Sequence, residues 1–296
     1  MYNRQLETFI AVADAGSFSK ASEELYISPT AVIKQINLLE QSLELQLFVR
    51  TNRGLMITES GKSLYQDAKY LIQYSKDSIT RAKNAMERTK NIIRIGTSQM
   101  TPGQFLVELW PKIHEMCPDI RFELVPFENT PENAREILKN LGQNIDIVAG
   151  IFDATLLEYR QCAGLMMKKE PIRVAVSVYH ELAKKEKLSL EDMEGESLML
   201  LKRGSFGNVD ELRDDLRQNH PEIQIVDFDF YSLDAFNRCE NSNNLLMAVD
   251  PWDTAHPLLK LIPVEWDYTI PYGLLHSPNP SPLVKRFLKA VSKLSQ

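Results

Sequence analysis

Eight residues within the first 53 have types and spacings that could act together: Lys20, Ser28, Pro29, Thr30, Lys34, Gln35, Arg50 and Arg53. Four are cations, which neutralise phosphate. Thr30 offers a hydroxyl and Gln35 an amide, groups that hydrogen-bond phosphates or base edges. Ser28 and Pro29 have a different use. Serine is a good helix N-cap, and proline suits the first helical position, where its missing N–H would have no partner anyway. A helix that starts at Pro29 brings Thr30 and Lys34 to similar faces one turn apart. Any one of these side chains is as readily a solvated helix face as a contact. The array together points to nucleic acid.

Other chemistries find no constellation. Cys117, Cys162 and Cys239 are far apart and form no CxxC pair, and His114, His180, His220, His256 and His276 are equally scattered, so metal-ligand spacing is absent. There is no GxSxG elbow, no GxxxxGK[ST], no HExxH and no GxGxxG after a strand, and the GSFG at 204–207 is too short to count. An enzyme on this chain has no visible nucleophile or acid–base set. The formal charge of −6 over 296 residues argues against a simple nucleic-acid coat. The charge is uneven, +2 through Lys90 and −8 beyond it, which permits a DNA-binding head on an acidic body. No apolar run approaches the ~20 residues of a membrane span, and the amphipathic N-terminus lacks a secretory core, so a cytoplasmic protein is expected.

The elements that must position the basic array follow from periodicity. Leu6, Phe9, Ile10 and Val12-Ala13 mark a first amphipathic helix over residues 6–15, which Gly16 stops. Ser17 or Ser19 is expected to cap a second helix through Leu25, with Phe18, Ala21 and Leu25 inward. Tyr26-Ile27 turn the chain. A third helix over residues 29–43 buries Val32, Ile36, Leu39 and Leu43. Phe48-Val49 and Leu55 to Ile57 read as short strands around Thr51-Asn52-Arg53-Gly54, a small wing. This is a helix-turn-helix, whose second member enters the major groove with its N-terminal residues leading. On that reading Lys20, Arg50 and Arg53 reach phosphates or the minor groove.

Thr58 can cap a long helix over residues 59–90, about 48 Å in length. Leu64, Ala68, Leu71, Ser75, Ile79, Ala82 and Met86 recur on it in steps of three and four, a thin coiled-coil seam. Packing on its own domain would give the same spacing. A seam between two chains is favoured because nothing short follows to fold back on it. From Ile92 onward strands and helices alternate. Strands are expected at IIRIG, 121–126, DIVAGIF, IRVAVSV, SLMLL, EIQIVDFDF, LLMAVD and YTIPYGLLH. Helices are expected at 102–116, 131–141, HELAKKEK, 209–219, 233–240 and 282–294. Such alternation implies parallel sheet.

The stretches LETFIAVADAGSFSKASEELYIS and LEQSLELQLFVRTNRGLMITESG resemble the LysR-type transcriptional regulators closely across residues 1–61. The resemblance continues more loosely through IRIG, DIVAG, HELAKKEKLSLEDMEGESLML and LVKRFLKAVSKL. It implies a winged helix-turn-helix at 1–58, a linker and dimerisation helix at 59–90, and an effector-binding domain at 91–296. That last part would be a two-lobed α/β domain like the type 2 periplasmic binding proteins, with lobe I about 91–165 plus 266–296 and lobe II about 166–265. The implied partners are a double-stranded DNA operator, a small-molecule effector, the chain itself as homodimer or homotetramer, and RNA polymerase. The resemblance implies no cofactor, no metal and no membrane. It places the dimer contact on Leu64, Ala68, Leu71, Ile79 and Met86.

The effector would sit between the lobes, near strand ends and helix N-termini. Residue by residue, that gives Thr97, Ser98, Gln99, Phe127, Ile151, Phe152, Arg203, Ser205, Phe206 and Asp250, with Lys202-Arg203 reading equally as a hint of an acidic ligand and as a solvated surface pair. The head departs from its family at the recognition helix. Ser-Gln-Pro is usual where this chain has Ser28-Pro29-Thr30, and Ser-Arg is usual where it has Ile33-Lys34. Lysine keeps a point charge but loses arginine's bidentate fork, so a changed base preference is expected.

Overall fold

The computed structural model describes residues 2–51, 54–86 and 91–294. They fall into two compact units that divide after residue 87.

In the first unit, α1 (Gln5–Ala15) ends at Gly16, whose φ of 61° is the left-handed conformation glycine adopts without Cβ strain. α2 (Phe18–Glu24) follows Ser17, which occupies the cap position but makes no capping bond. Ser19 does not cap either; its carbonyl accepts from the Ser22 hydroxyl. α3 (Pro29–Leu43) starts as expected, with the Ser28 Oγ accepting from Ala31 N at 3.2 Å. Phe9, Val12, Ala21, Val32, Ile36 and Leu39 close into one core with Leu47 and Phe48. At about 1.5–3 kcal/mol per large apolar side chain, that burial is what holds three short helices together. Leu43, expected in the stripe, is 39% exposed, because the helix runs past the core at its last turn. β1 (Phe48–Thr51) and β2 (Gly54–Ile57) pair antiparallel as the wing, Phe48 opposite Ile57. Glu40 anchors its entry by accepting from the backbone of Leu47 and Phe48, at 2.6 and 3.1 Å.

α4 (Glu59–Met86) is capped by Thr58, whose Oγ1 accepts from Gly61 N at 3.0 Å. Among its described residues, Gly61, Ala68, Ile72 and Ser75 are buried. Leu64 and Ala68, expected between chains, therefore pack into their own unit's core. Leu71 and Ile79 remain exposed, beside Tyr70 and Tyr74, whose rings stack 6.0 Å apart. The thin spacing of small residues was compatible with either partner, and α1 takes it. Arg53, residues 87–90 and the side chains of Arg50 and Met86 lie outside the described residues.

The second unit holds two five-stranded sheets. One, ordered β4-β3-β5-β12-β6, comprises β3 (Ile92–Thr97), β4 (Arg121–Pro126), β5 (Ile147–Ile151), β6 (Ala163–Pro171) and β12 (Thr269–His276). The other, ordered β11-β7-β10-β8-β9, comprises β7 (Arg173–Ser177), β8 (Ser197–Leu201), β9 (Gln224–Phe228), β10 (Leu245–Ala248) and β11 (Leu259–Pro263). The helices are α5 (Gln104–Met116), α6 (Pro131–Lys139), α7 (Ala154–Arg160), α8 (Gly207–Asn219), α9 (Leu233–Ser242) and α10 (Pro282–Ser292). Central strands such as β5 and β8 are apolar on both faces, as helix-covered parallel strands must be.

The sheets are mixed, which corrects the parallel expectation. β12 runs antiparallel to β5 and β6, and β7 antiparallel to β10 and β11. The reversals sit where the chain crosses between sheets, at 171–173 and 263–269. The expected lobe limit at 165 falls inside β6, which belongs to the first sheet. HELAKKEK forms only a short 3-10 turn at Glu181–Lys184. Beyond it the chain is drawn extended, so that the wholly buried Leu188 can bridge to Val264. α7, β6 and β11 lack clean periodicity and went unpredicted. Among the described residues, no helix is long and apolar enough to cross a membrane.

Candidate DNA-reading face and inter-lobe cavity

The polar array on the first unit is outward. Lys20, Ser28, Pro29, Thr30 and Lys34 are exposed. The Thr30 hydroxyl lies 3.0 Å from the Ser28 cap, so it leans on the start of α3. Gln35 is different. Its Oε1 accepts from the Thr8 hydroxyl at 2.5 Å, and Thr8 is buried in α1. One lone pair of the amide oxygen is thus used inside the protein, and the bond holds the amide in one orientation beside α1. Spacing could not reveal this, since the partner is 27 residues away. Tyr26 was also missed as a surface feature. It turns the chain at φ 55°, a conformation costly for a non-glycine residue, with its ring 94% exposed.

In the second unit a cavity of about 440 Å³ opens between the sheets. Its walls come from the carboxyl ends of strands in both, where ligands of open α/β sheets bind. Of the expected residues it takes Phe127, Ile151, Arg203, Ser205 and Phe206. It does not take the other five. Thr97 and Gln99 are set aside by a tight loop that Ser98 closes onto Thr101, their hydroxyls 2.7 Å apart, so Thr101 lines the wall instead. Phe152 is 6% exposed in a separate core, where its ring fills the space over Gly164. Asp250 turns away to pair with Arg173, at 2.9 Å from Nη2.

Hydrogen bonds join the two sides around the cavity. Trp252 Nε1 donates to the Met100 carbonyl at 2.9 Å, Asn129 Nδ2 to the Tyr231 carbonyl at 2.7 Å, and Gly207 N to Asp153 Oδ2 at 2.5 Å. Asp153 also caps α7, its Oδ1 accepting from Leu156 N at 2.9 Å. The carboxylate therefore serves two helix N-termini at once, which is where a negative charge is stabilised.

The charges in the wall are unequal in their neutralisation. Lys202 donates to Asp229 at 2.6 Å, and Arg203 pairs with Asp214; each carboxylate holds its partner's pKa above the ordinary value. These two cations are already matched at the surface, the second of the two expectations for them. Arg160, at the end of α7, is not matched. Its Nε and Nη1 are closed off from solvent and meet no acceptor. Unmade donors of this kind cost about 1–3 kcal/mol, more when charged. Burial pulls the guanidinium below its ordinary pKa, and the charge of Arg135 acts in the same direction. The thiols of Cys162 and Cys239 are raised by burial, to about 11 and about 12. Among the described residues, no group of His, Cys, Asp or Glu could hold a metal ion.

Comparison with known proteins follows the same division. The family profile for bacterial regulatory helix-turn-helix proteins of the lysR family matches residues 3–62, and that for the LysR substrate binding domain matches residues 87–295. A Bacillus subtilis relative, the uncharacterized HTH-type transcriptional regulator YvbU, is 27% identical over 201 residues, 68% of this chain and 66% of its own. The HTH-type transcriptional activator CmpR of Synechocystis sp. is 26% identical over 208 residues, 68% of this chain and 64% of its own. The match thus spans slightly less than two thirds of either relative. The crystal structure of CbnR, a LysR family transcriptional regulator, aligns over 100% of both chains with a TM-score of 0.57 at 19% identity. Full-length CbnR complexed with its target DNA gives 0.55 at the same identity. At that identity the likeness is one of fold.

Proposed function

The chain belongs to the lysR family of bacterial regulatory helix-turn-helix proteins, and from that premise we propose that it is a sequence-specific DNA-binding transcription factor controlled by a small-molecule effector. The observation that carries the reading is the start of α3. A serine cap and Pro29 project Thr30 and Lys34 outward, while Val32, Ile36 and Leu39 bury the opposite face. A recognition helix needs that division, because its polar face must enter the groove while its apolar face is gripped. Lys20, Arg50 and Arg53 are proposed to hold phosphates beside it. Gln35 is proposed to meet a base edge with its amide held by Thr8.

The effector is proposed to bind in the inter-lobe cavity and to favour one arrangement of the lobes. It shifts DNA binding only by its difference in affinity for the two states. Self-association is proposed through the exposed Leu71 and Ile79 of α4. Paired sensing domains would extend a dimer to a tetramer. Action on RNA polymerase, a cytoplasmic location and the absence of enzymatic activity rest on the family alone.

The test is a mobility-shift titration with the DNA flanking the protein's own gene, against unrelated DNA of equal length. A regulator prefers the flanking DNA by roughly 10³-fold or more. Equal affinity for both fragments, with the same salt dependence, would falsify the reading.

A further inference from the structure

We propose that the inter-lobe cavity binds an organic carboxylate with an apolar body, and that Arg160, assisted by Arg135, supplies its countercharge. The inference rests on the reading of this cavity as the effector site and names the class of ligand.

Four cations line the cavity: Arg135, Arg160, Lys202 and Arg203. The acid in the lining, Asp229, and two acids beside it are committed. Asp229 holds Lys202, Asp214 holds Arg203, and both oxygens of Asp153 accept backbone N–H groups. Arg160 and Arg135 make no ion pair among the described residues. Arg160 is half-buried, with Nε and Nη1 closed off from water, and rests near the Tyr159 ring with 5.1 Å to its centroid. A guanidinium at a helix C-terminus often satisfies itself on the last carbonyls. This one does not, since Nε and Nη1 lack any acceptor. Two lining cations without a carboxylate partner among the described residues favour an anion in the space they border.

The rest of the wall decides what the anion carries. Phe127, Ile137, Leu138, Leu156, Phe206 and Trp252 are apolar or aromatic. A bare inorganic anion would leave that surface unfilled, whereas a volume of about 440 Å³ falls in the range of small-molecule sites. A carboxylate supplies the missing negative charge, and an apolar body matches the wall.

The full chain is tested by thermal shift against butanoate, hexanoate, phenylacetate and succinate at millimolar concentration. The matching amides and inorganic phosphate are the controls. The expected result is a rise in melting temperature with at least one acid and none with its amide, since a ligand stabilises the state it binds. Arg160→Gln is expected to weaken that acid by roughly thirtyfold or more, and Arg160→Lys to restore part of the affinity. In the absence of acid, Arg160→Gln is expected to melt at least as high as the parent chain, because it removes an uncompensated charge. That control separates lost binding from lost folding. The proposal is overturned if the amides match their acids, if Arg160→Gln keeps the full shift, if only phosphate binds, or if no acid binds. Operator binding, measured separately, tests the regulator reading. Failure of the acids with operator preference intact removes the carboxylate alone, and the reverse result removes the regulator.

Discussion

The head and the cavity recruit polar side chains in opposite ways. On the head, Lys20 of α2 and Lys34 of α3 are exposed beside the Thr30 hydroxyl, and the two charges are hydrated until DNA arrives. In the cavity, Arg160 is half-buried and unpaired before any ligand arrives, in a wall of residues scattered from Met100 to Leu275. Exposed charge steers encounter and is screened by salt, whereas a desolvated charge discriminates between ligands because leaving it unpaired is costly. One region is built to find a long polyanion and the other to select a small one.

Several experiments break or sharpen that contrast. The largest effect is expected at Gly61. A Cβ there would fall 2.5 Å from the Leu47 carbonyl oxygen. Gly61→Ala should destabilise the first unit by ~3 kcal/mol through overpacking, read by chemical denaturation. DNA affinity should fall with it while ligand binding to the second unit is kept. Next come Lys34→Ala and Arg53→Ala. Each should weaken operator binding and make the salt dependence shallower by about one unit of slope. Unchanged affinity in both variants removes these residues from the interface.

Asp153→Ala should cost the second unit about 1–3 kcal/mol, because it frees the N–H groups of Leu156 and Gly207 in a part-buried place. It should leave operator affinity of the unliganded protein unchanged. Gln35→Ala should cost the head about 1 kcal/mol by stranding the Thr8 hydroxyl. If Gln35 also donates to a base, affinity falls beyond what stability explains. The smallest effect concerns the thiols. Cys162 and Cys239 are raised to about 11 and about 12, so the folded protein holds almost no thiolate at neutral pH, and alkylation should be slow until it unfolds. The sign of the linkage follows. The unfolded chain releases these protons first as pH rises, so their contribution is whole below the ordinary thiol value near 9 and is lost as pH approaches 11 to 12. A melting temperature that does not fall on raising pH through that window would contradict it.

The head was legible because its signals are local. Ser28-Pro29 states where α3 begins, Gly16 where α1 ends, and Val32, Ile36 and Leu39 which face is buried. The linker was half legible. Steps of three and four announced a buried stripe, but the same steps serve a partner chain or the helix's own domain. Leu64 and Ala68 went to the latter. In the cavity, Phe127, Ile151, Arg203, Ser205 and Phe206 were placed by strand ends. Arg160, Arg135 and Asp153 were not found. In LLEYRQC an arginine near a helix end reads as a solvated residue, and nothing nearby says otherwise.

By itself the sequence determined the helix-turn-helix, the wing, the long helix and the alternating body, since these depend on periodicity, caps and turns within a few residues. It also determined the family, through motifs contiguous in the chain. Only the tertiary structure decided which strands run antiparallel, that Gln35 lends its oxygen to Thr8, and that Arg203 is matched while Arg160 is not. The reason is physical. A hydrogen bond or an ion pair is settled by whichever group burial brings within about 3 Å, and burial is a property of the packed chain rather than of any segment of it.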